Sequence, residues 1–183
     1  LIYIDFKDPT SPVVEKIDYD FEKSGYTLCI VDSGADHAAL TDEYAAIPRE
    51  LEKVCAVFDK RFLRDVDEAE FSAHLADVRR AAGDRAVLRA MHVYDENRRV
   101  QAQIQALKRG DFDGFLKLIN ESGLSSWLYL QNVIPAGSTA HQDMAFTLAL
   151  CRRLLGGKGA VRIHGGGFAG TVLAFVPDAQ TGA

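Results

Sequence analysis

The stretch Ala160–Val176, A-V-R-I-H-G-G-G-F-A-G-T-V-L-A-F-V, decides how the rest of the chain is read. Five of the six residues from Gly165 to Gly170 are Gly or Ala. Alternating apolar residues, Val161 and Ile163, lead into this run, and β-forming residues, Thr171 to Val176, lead out of it. Gly165, Gly167 and Gly170 satisfy G-x-G-x-x-G. The dinucleotide fingerprint, however, needs a helix after its last glycine within a βαβ unit, and here a strand-forming run follows at once. A Walker phosphate loop needs a Lys-Ser/Thr pair, which is absent. What remains is a glycine turn joining two strands. Glycines there admit positive φ and let backbone N–H groups approach a ligand closely. A plain hairpin turn with no ligand uses the same residues.

The segments before this hairpin fall into two blocks. Leu1–Phe6, Val13–Ile17 and Tyr26–Val31 read as strands, and Asp32–His37 is a polar loop. From Thr41 the apolar period changes from two to 3.6, with Tyr44, Ile47, Leu51, Val54 and Phe58 on one face. Pro48 interrupts this face: either a helix starts there after a short turn over Thr41–Ala46, or one helix is kinked there. Phe71–Ala82 predicts a second helix closed by Gly83, and Arg85–Lys108 a long one with Gly110 at its C′ position. Asp111 caps the next, whose face is Phe112, Phe115, Leu116 and Ile119. Ser122-Gly123 is expected to end or bend it, and Trp127–Val133 is ambiguous between helix and strand. Met144, Leu148, Cys151 and Leu155 mark a last helix, stopped by Gly156-Gly157. Strands, then about five helices, then a hairpin give an α+β layout rather than a βαβ alternation.

Composition narrows the function. The 183 residues are 48% apolar and 26% charged, with a net charge of −5. That is one domain, or one domain plus part of another, with room for a substantial core. Without a long basic run, nucleic acid is not an expected partner, and no apolar stretch is long enough for a membrane span. Cys29, Cys55 and Cys151 lack metal-type spacing, each lies in an apolar-periodic run, and they read as buried free thiols of a cytoplasmic protein. The five histidines are scattered, so no metal site is expected. Glu96, Arg98 and Arg99 read as a solvated helix face worth a few tenths of a kcal/mol. Taken alone, Tyr44 reads as core.

Several stretches together resemble the GHMP small-molecule kinases, in the form that galactokinases carry. R-I-H-G-G-G-F-A-G-T (162–171) is similar to the family's M-T-G-G-G-F-G-G-C. His164 stands in place of its Thr, Ala169 of a Gly and Thr171 of a Cys. Val31–Phe58 resembles the segment in which a strand ending in N/D-S/T-x-x-x-H precedes S/D-E-Y and a helix. Arg89–Val100 looks like the helix R-A-x-H-V-x-x-E-x-x-R-V, and Gly110–Ser122 looks like G-D-x-x-x-F-G-x-L-M-x-E-S. Trp127–Val133 and His141–Leu155 depart from the family, which has C-P-E-L-D in that region. The likeness spans nearly the whole chain and suggests a divergent branch.

The resemblance implies a galactokinase: transfer of the γ-phosphate of ATP, with Mg2+, to the anomeric hydroxyl of galactose. It implies a GHMP-kinase C-terminal domain over residues 41–183, with a ferredoxin-like antiparallel sheet and a helical layer. Residues 1–40 would be terminal strands of the N-terminal domain. Tyr44 matches the tyrosine that lines the sugar pocket, and Gly165, Gly166 and Gly167 would lie near the phosphates. The family's G-E-H-T-D signature, its P-x-x-x-G-L-S-S-S-A phosphate loop and its catalytic Asp with partner Arg are not in this sequence. The chain is therefore expected to be a truncated piece with no catalytic residue of its own, ATP and Mg2+ being held mainly elsewhere. Two alternatives remain: a GHMP kinase for another sugar, such as N-acetylgalactosamine, or a non-catalytic galactokinase-like sugar sensor.

Overall fold

In the computed structural model, residues 1–35 and 40–182 are described. The polar loop from Asp32 and the histidine of the strand-end match, His37, run into residues outside that range. The chain is α+β. Strands β1 (Ile2–Asp5) and β2 (Val13–Lys16) form an antiparallel hairpin, and β3 (Tyr26–Asp32) follows. Six helices come next: α1 (Thr41–Ala56), α2 (Glu68–Ala73), α3 (Leu75–Ala82), α4 (Asp84–Lys108), α5 (Phe112–Ser125) and α6 (Asp143–Leu155). Strands β4 (Ala160–His164) and β5 (Thr171–Pro177) close the order.

The second sheet has the order β3-β5-β4, antiparallel throughout. Its central strand is the one that follows the glycine turn. β3 pairs with β5 from Tyr26↔Pro177 to Asp32↔Thr171, so a strand before residue 40 shares a sheet with a strand near the end of the chain. Directly opposed residues share a face. Val161, Ile163, Val172 and Ala174 pack with Met144 and Leu148 of α6, while Ala160 and Phe175 join Ile104, Phe112, Phe115 and Ile119 of α4 and α5. Ile17, just after β2, is buried in that second cluster, which docks the hairpin on α4 and α5.

Local chemistry explains most boundaries. Pro48 lies inside α1, which runs through it as a single helix. Gly83 has φ +89° and separates α3 from α4. The α4–α5 corner is built as its residues suggest: Gly110 at φ +71° sends its N–H to the Leu107 carbonyl, and the Asp111 carboxylate accepts from the Gly114 N–H at 2.9 Å. The region expected to be one helix over Phe71–Ala82 is two, α2 starting three residues earlier because Asp67 caps it and breaking at His74.

Ser122-Gly123 does not end α5. The helix continues through both residues to Ser125 and passes into a π-helical turn over Ser126–Leu130, so the ambiguous run Trp127–Val133 is helical only as far as Leu130. Gly123 is there for another reason. A Cβ on it would lie 2.8 Å from the Val161 carbonyl oxygen, so α5 crosses β4 at a distance that only glycine allows.

Candidate functional site

The turn between β4 and β5 spans Gly165–Gly170 and carries positive φ at Gly165 (+81°), Gly167 (+88°), Gly170 (+89°) and, unusually for a side chain of that size, Phe168 (+58°). Phe168 is held in this conformation by burial and by its N–H, which donates to the Asn132 carbonyl at 2.5 Å. Its ring meets Tyr44 edge-on, with centroids 5.4 Å apart.

Tyr44 and the glycine turn, 123 residues apart in sequence, form one site. The Tyr44 hydroxyl donates to the Gly167 carbonyl at 2.7 Å, and a Cβ on Gly166 would lie 3.0 Å from the tyrosine Cε1. Burial pushes the Tyr44 phenol above its ordinary value, so at neutral pH it remains a neutral donor. The residue is half-buried on the face of α1, beside the turn.

Asn132 is the site residue that sequence reasoning missed. Its Nδ2 donates to the Gly166 carbonyl at 3.0 Å, while its main-chain oxygen accepts from Phe168, so it grips the turn on both sides of Gly167. The available signal was a polar Gln131-Asn132 pair inside an otherwise apolar run. Ser33, at the end of β3, holds the far side, its Oγ and N–H both donating to the Gly170 carbonyl. The carbonyls of Gly166, Gly167 and Gly170 are thus tied back to protein donors. Among the described residues, no turn or loop hydrogen bond uses the N–H of Gly165, Gly166 or Gly167. Successive backbone N–H groups in a turn are one way in which proteins build an anion site.

His164 and Thr171, two of the departures from the resembling motif, face each other across the strands where the turn begins and ends, His164 Nδ1 lying 3.0 Å from Thr171 Oγ1. The two substitutions are therefore in contact.

The Arg89–Val100 motif serves the interior. Arg89 is fully buried, and His92 Nδ1 lies 2.8 Å from Ser125 Oγ on α5. The solvated face expected for Glu96, Arg98 and Arg99 holds only for Arg98. Glu96 is largely covered, accepts from Ser122 Oγ at 2.5 Å and pairs with Arg99 and Arg162, because α5 and β4 pack over that side of α4. Burial holds the His92 imidazole below its ordinary 6.5. Burial alone would raise the Glu50 carboxyl, but Arg85 and Arg89 outweigh it and hold it below its usual range. In both cases the unfolded chain binds more protons than the folded one, so stability present above pH 6.5 is lost as pH falls, first through His92 and then through Glu50. Urea midpoints should drop from pH 7 to pH 5, and His92→Gln should flatten the upper part of that slope. A midpoint independent of pH over that range would contradict the assignment.

No protein-family model matches the chain. Curated relatives do. A galactokinase of Actinobacillus pleuropneumoniae serotype 5b is 30% identical over 156 residues, 85% of this chain, and one of Haemophilus influenzae (strain PittGG) is 31% identical over 150 residues, 82% of it. The chain is related to the galactokinases. It spans 38% and 37% of the lengths of those two relatives. A crystal structure of Lactococcus lactis galactokinase complexed with galactose matches 94% of this chain and 42% of that one, with a TM-score of 0.67 at 22% identity, which shows that the fold is shared. Among the described residues no helix is long and apolar enough to cross a membrane, and no group of three or more His, Cys, Asp and Glu side chains is placed to hold a metal ion.

Proposed function

We propose that this galactokinase-related chain forms one wall of a sugar-kinase site that transfers the γ-phosphate of ATP to the anomeric hydroxyl of galactose. The observation that carries the reading is the contact of Tyr44 with the glycine turn: the residue matched to a sugar-lining tyrosine and the residues matched to a phosphate-side turn meet at 2.7 Å. Phosphoryl transfer depends on positioning and charge stabilisation more than on covalent chemistry. Tyr44 would pack against the sugar, and the amides of Gly165, Gly166 and Gly167 would face phosphate oxygens. Mg2+ would neutralise charge on the transferring phosphates. The two-part division, residues 1–40 as terminal strands of the first part and 41–183 as the second, belongs to the same proposal.

Two experiments test this. Tyr44→Ala in a galactokinase-length protein containing these residues should raise the KM for galactose, by an amount equivalent to about 1–2 kcal/mol of lost aromatic packing, with a smaller effect on the KM for ATP. An unchanged sugar KM with a lowered melting temperature would make Tyr44 a packing residue only. The 183-residue chain by itself, which carries neither a phosphate loop nor the Asp and Arg of the family, should show no ATP-dependent phosphorylation of galactose above a buffer control. Turnover by it would refute the division of labour.

A further inference from the structure

We propose that Arg89 is a positioning residue for the candidate site, a single guanidinium that fixes the helix carrying Tyr44 against the loop carrying Asn132. The proposal rests on the reading that Tyr44 and the glycine turn contact the ligand. Arg89 is 0% exposed. Its Nη1 donates to Glu50 Oε2 at 2.8 Å, and Glu50 lies on α1, six residues beyond Tyr44. Its Nε donates to the Leu130 carbonyl at 3.0 Å. Two residues later Asn132 grips the glycine turn through the Gly166 carbonyl and the Phe168 N–H. Gln131 between them is in the left-handed region at φ +55°, so the direction in which Asn132 leaves Leu130 depends on how that carbonyl is held. The turn is thereby gripped from one side by Tyr44 and from the other by Asn132, and Arg89 sets the spacing of the two.

Stability alone does not account for this arrangement. A buried ion pair is weak in net stabilisation, and apolar residues of similar size commonly replace one without loss. Arg89 Nη2 is also buried with no hydrogen-bond partner among the described residues, a further cost. What a guanidinium supplies that an apolar side chain does not is a rigid fork with donors in two fixed directions, and lysine lacks that fork.

Amide exchange, measured by NMR on the 183-residue chain, tests the proposal. Arg89→Lys should speed exchange of the Phe168 amide by about tenfold while amides within α5 change by less than about twofold, because the loss is local opening rather than global unfolding. Asn132→Ala should do the same, and the Arg89→Lys/Asn132→Ala pair should add little to either alone. Unchanged exchange at Phe168, a uniform rise along the whole chain, or independent effects of the two changes would each overturn the proposal. If Arg89→Lys does not fold, Glu50→Ala, which removes the acceptor on α1 that Arg89 engages, decides by the same criterion. Galactose and ATP titrated into a galactokinase-length protein containing these residues test the ligand reading separately. Undisturbed resonances at Tyr44 and the turn would remove that reading, and with it the link from Arg89 to a ligand, even with the exchange pattern intact. Unchanged exchange would remove the positioning role alone.

Discussion

Gly167→Ala is expected to cost about 3 kcal/mol or more of stability and to abolish any function of the turn. Gly167 has φ +88°, and a Cβ built on it would lie 2.1 Å from the Asn132 carbonyl oxygen and 2.6 Å from Asn132 Nδ2. Left-handed strain of about 1–2 kcal/mol therefore adds to an overlap that backbone movement alone relieves. That movement breaks the Asn132 grip on both sides of the residue. The neighbouring glycines should behave differently. Gly165 has φ +81° but open space around it, so Gly165→Ala carries the strain alone, about 1–2 kcal/mol. Gly166 lies outside the left-handed region, and its added methyl would meet Tyr44 Cε1 at 3.0 Å, so Gly166→Ala should shift the tyrosine and show itself more in ligand affinity than in stability. Urea denaturation of the three variants checks the order. Equal losses at all three positions would leave a simple hairpin turn with no special role for the Asn132 contact.

Arg89→Met is expected to lose about 2–3 kcal/mol, the second large effect, because it strands the Leu130 carbonyl in the interior and takes one cation from Glu50. Glu50 keeps Arg85, whose Nη2 donates to it at 2.5 Å and whose side chain is 41% exposed. That second cation limits the damage. Combining Arg89→Met with Glu50→Met should therefore cost less than the sum of the single changes, since no buried charge is then left without its partner and Arg85 rehydrates at the surface. Denaturant midpoints for the three variants give the coupling directly. Strict additivity would mean that Arg89 and Glu50 stabilise the fold independently.

The sequence by itself determined the elements and most of their ends. Apolar periods of two and 3.6 encode which face of the backbone avoids water, and Gly83, Gly110, Asp111 and Gly156 encode dihedrals and caps that depend on neighbours a few residues away. Those signals are local, so they were legible, and the β4–β5 hairpin with its glycine turn was legible for the same reason. The resemblance added Tyr44 and the three glycines as separate candidates.

Only the tertiary structure brought them into contact. Gly123 looks like a helix stop in the sequence and is a point of close approach to β4 in space. Glu96 and Arg99 look solvated on α4 until α5 and β4 cover them. β3 finds its partner in β5 across 139 to 151 residues, and Tyr44 finds the Gly167 carbonyl across 123. Asn132 and Arg89 reach these partners only because the chain, after folding back, leaves their polar atoms facing backbone groups that must be hydrogen-bonded away from water. Periodicity records how much of each side chain is buried; it holds no record of which distant polar group will be buried beside it.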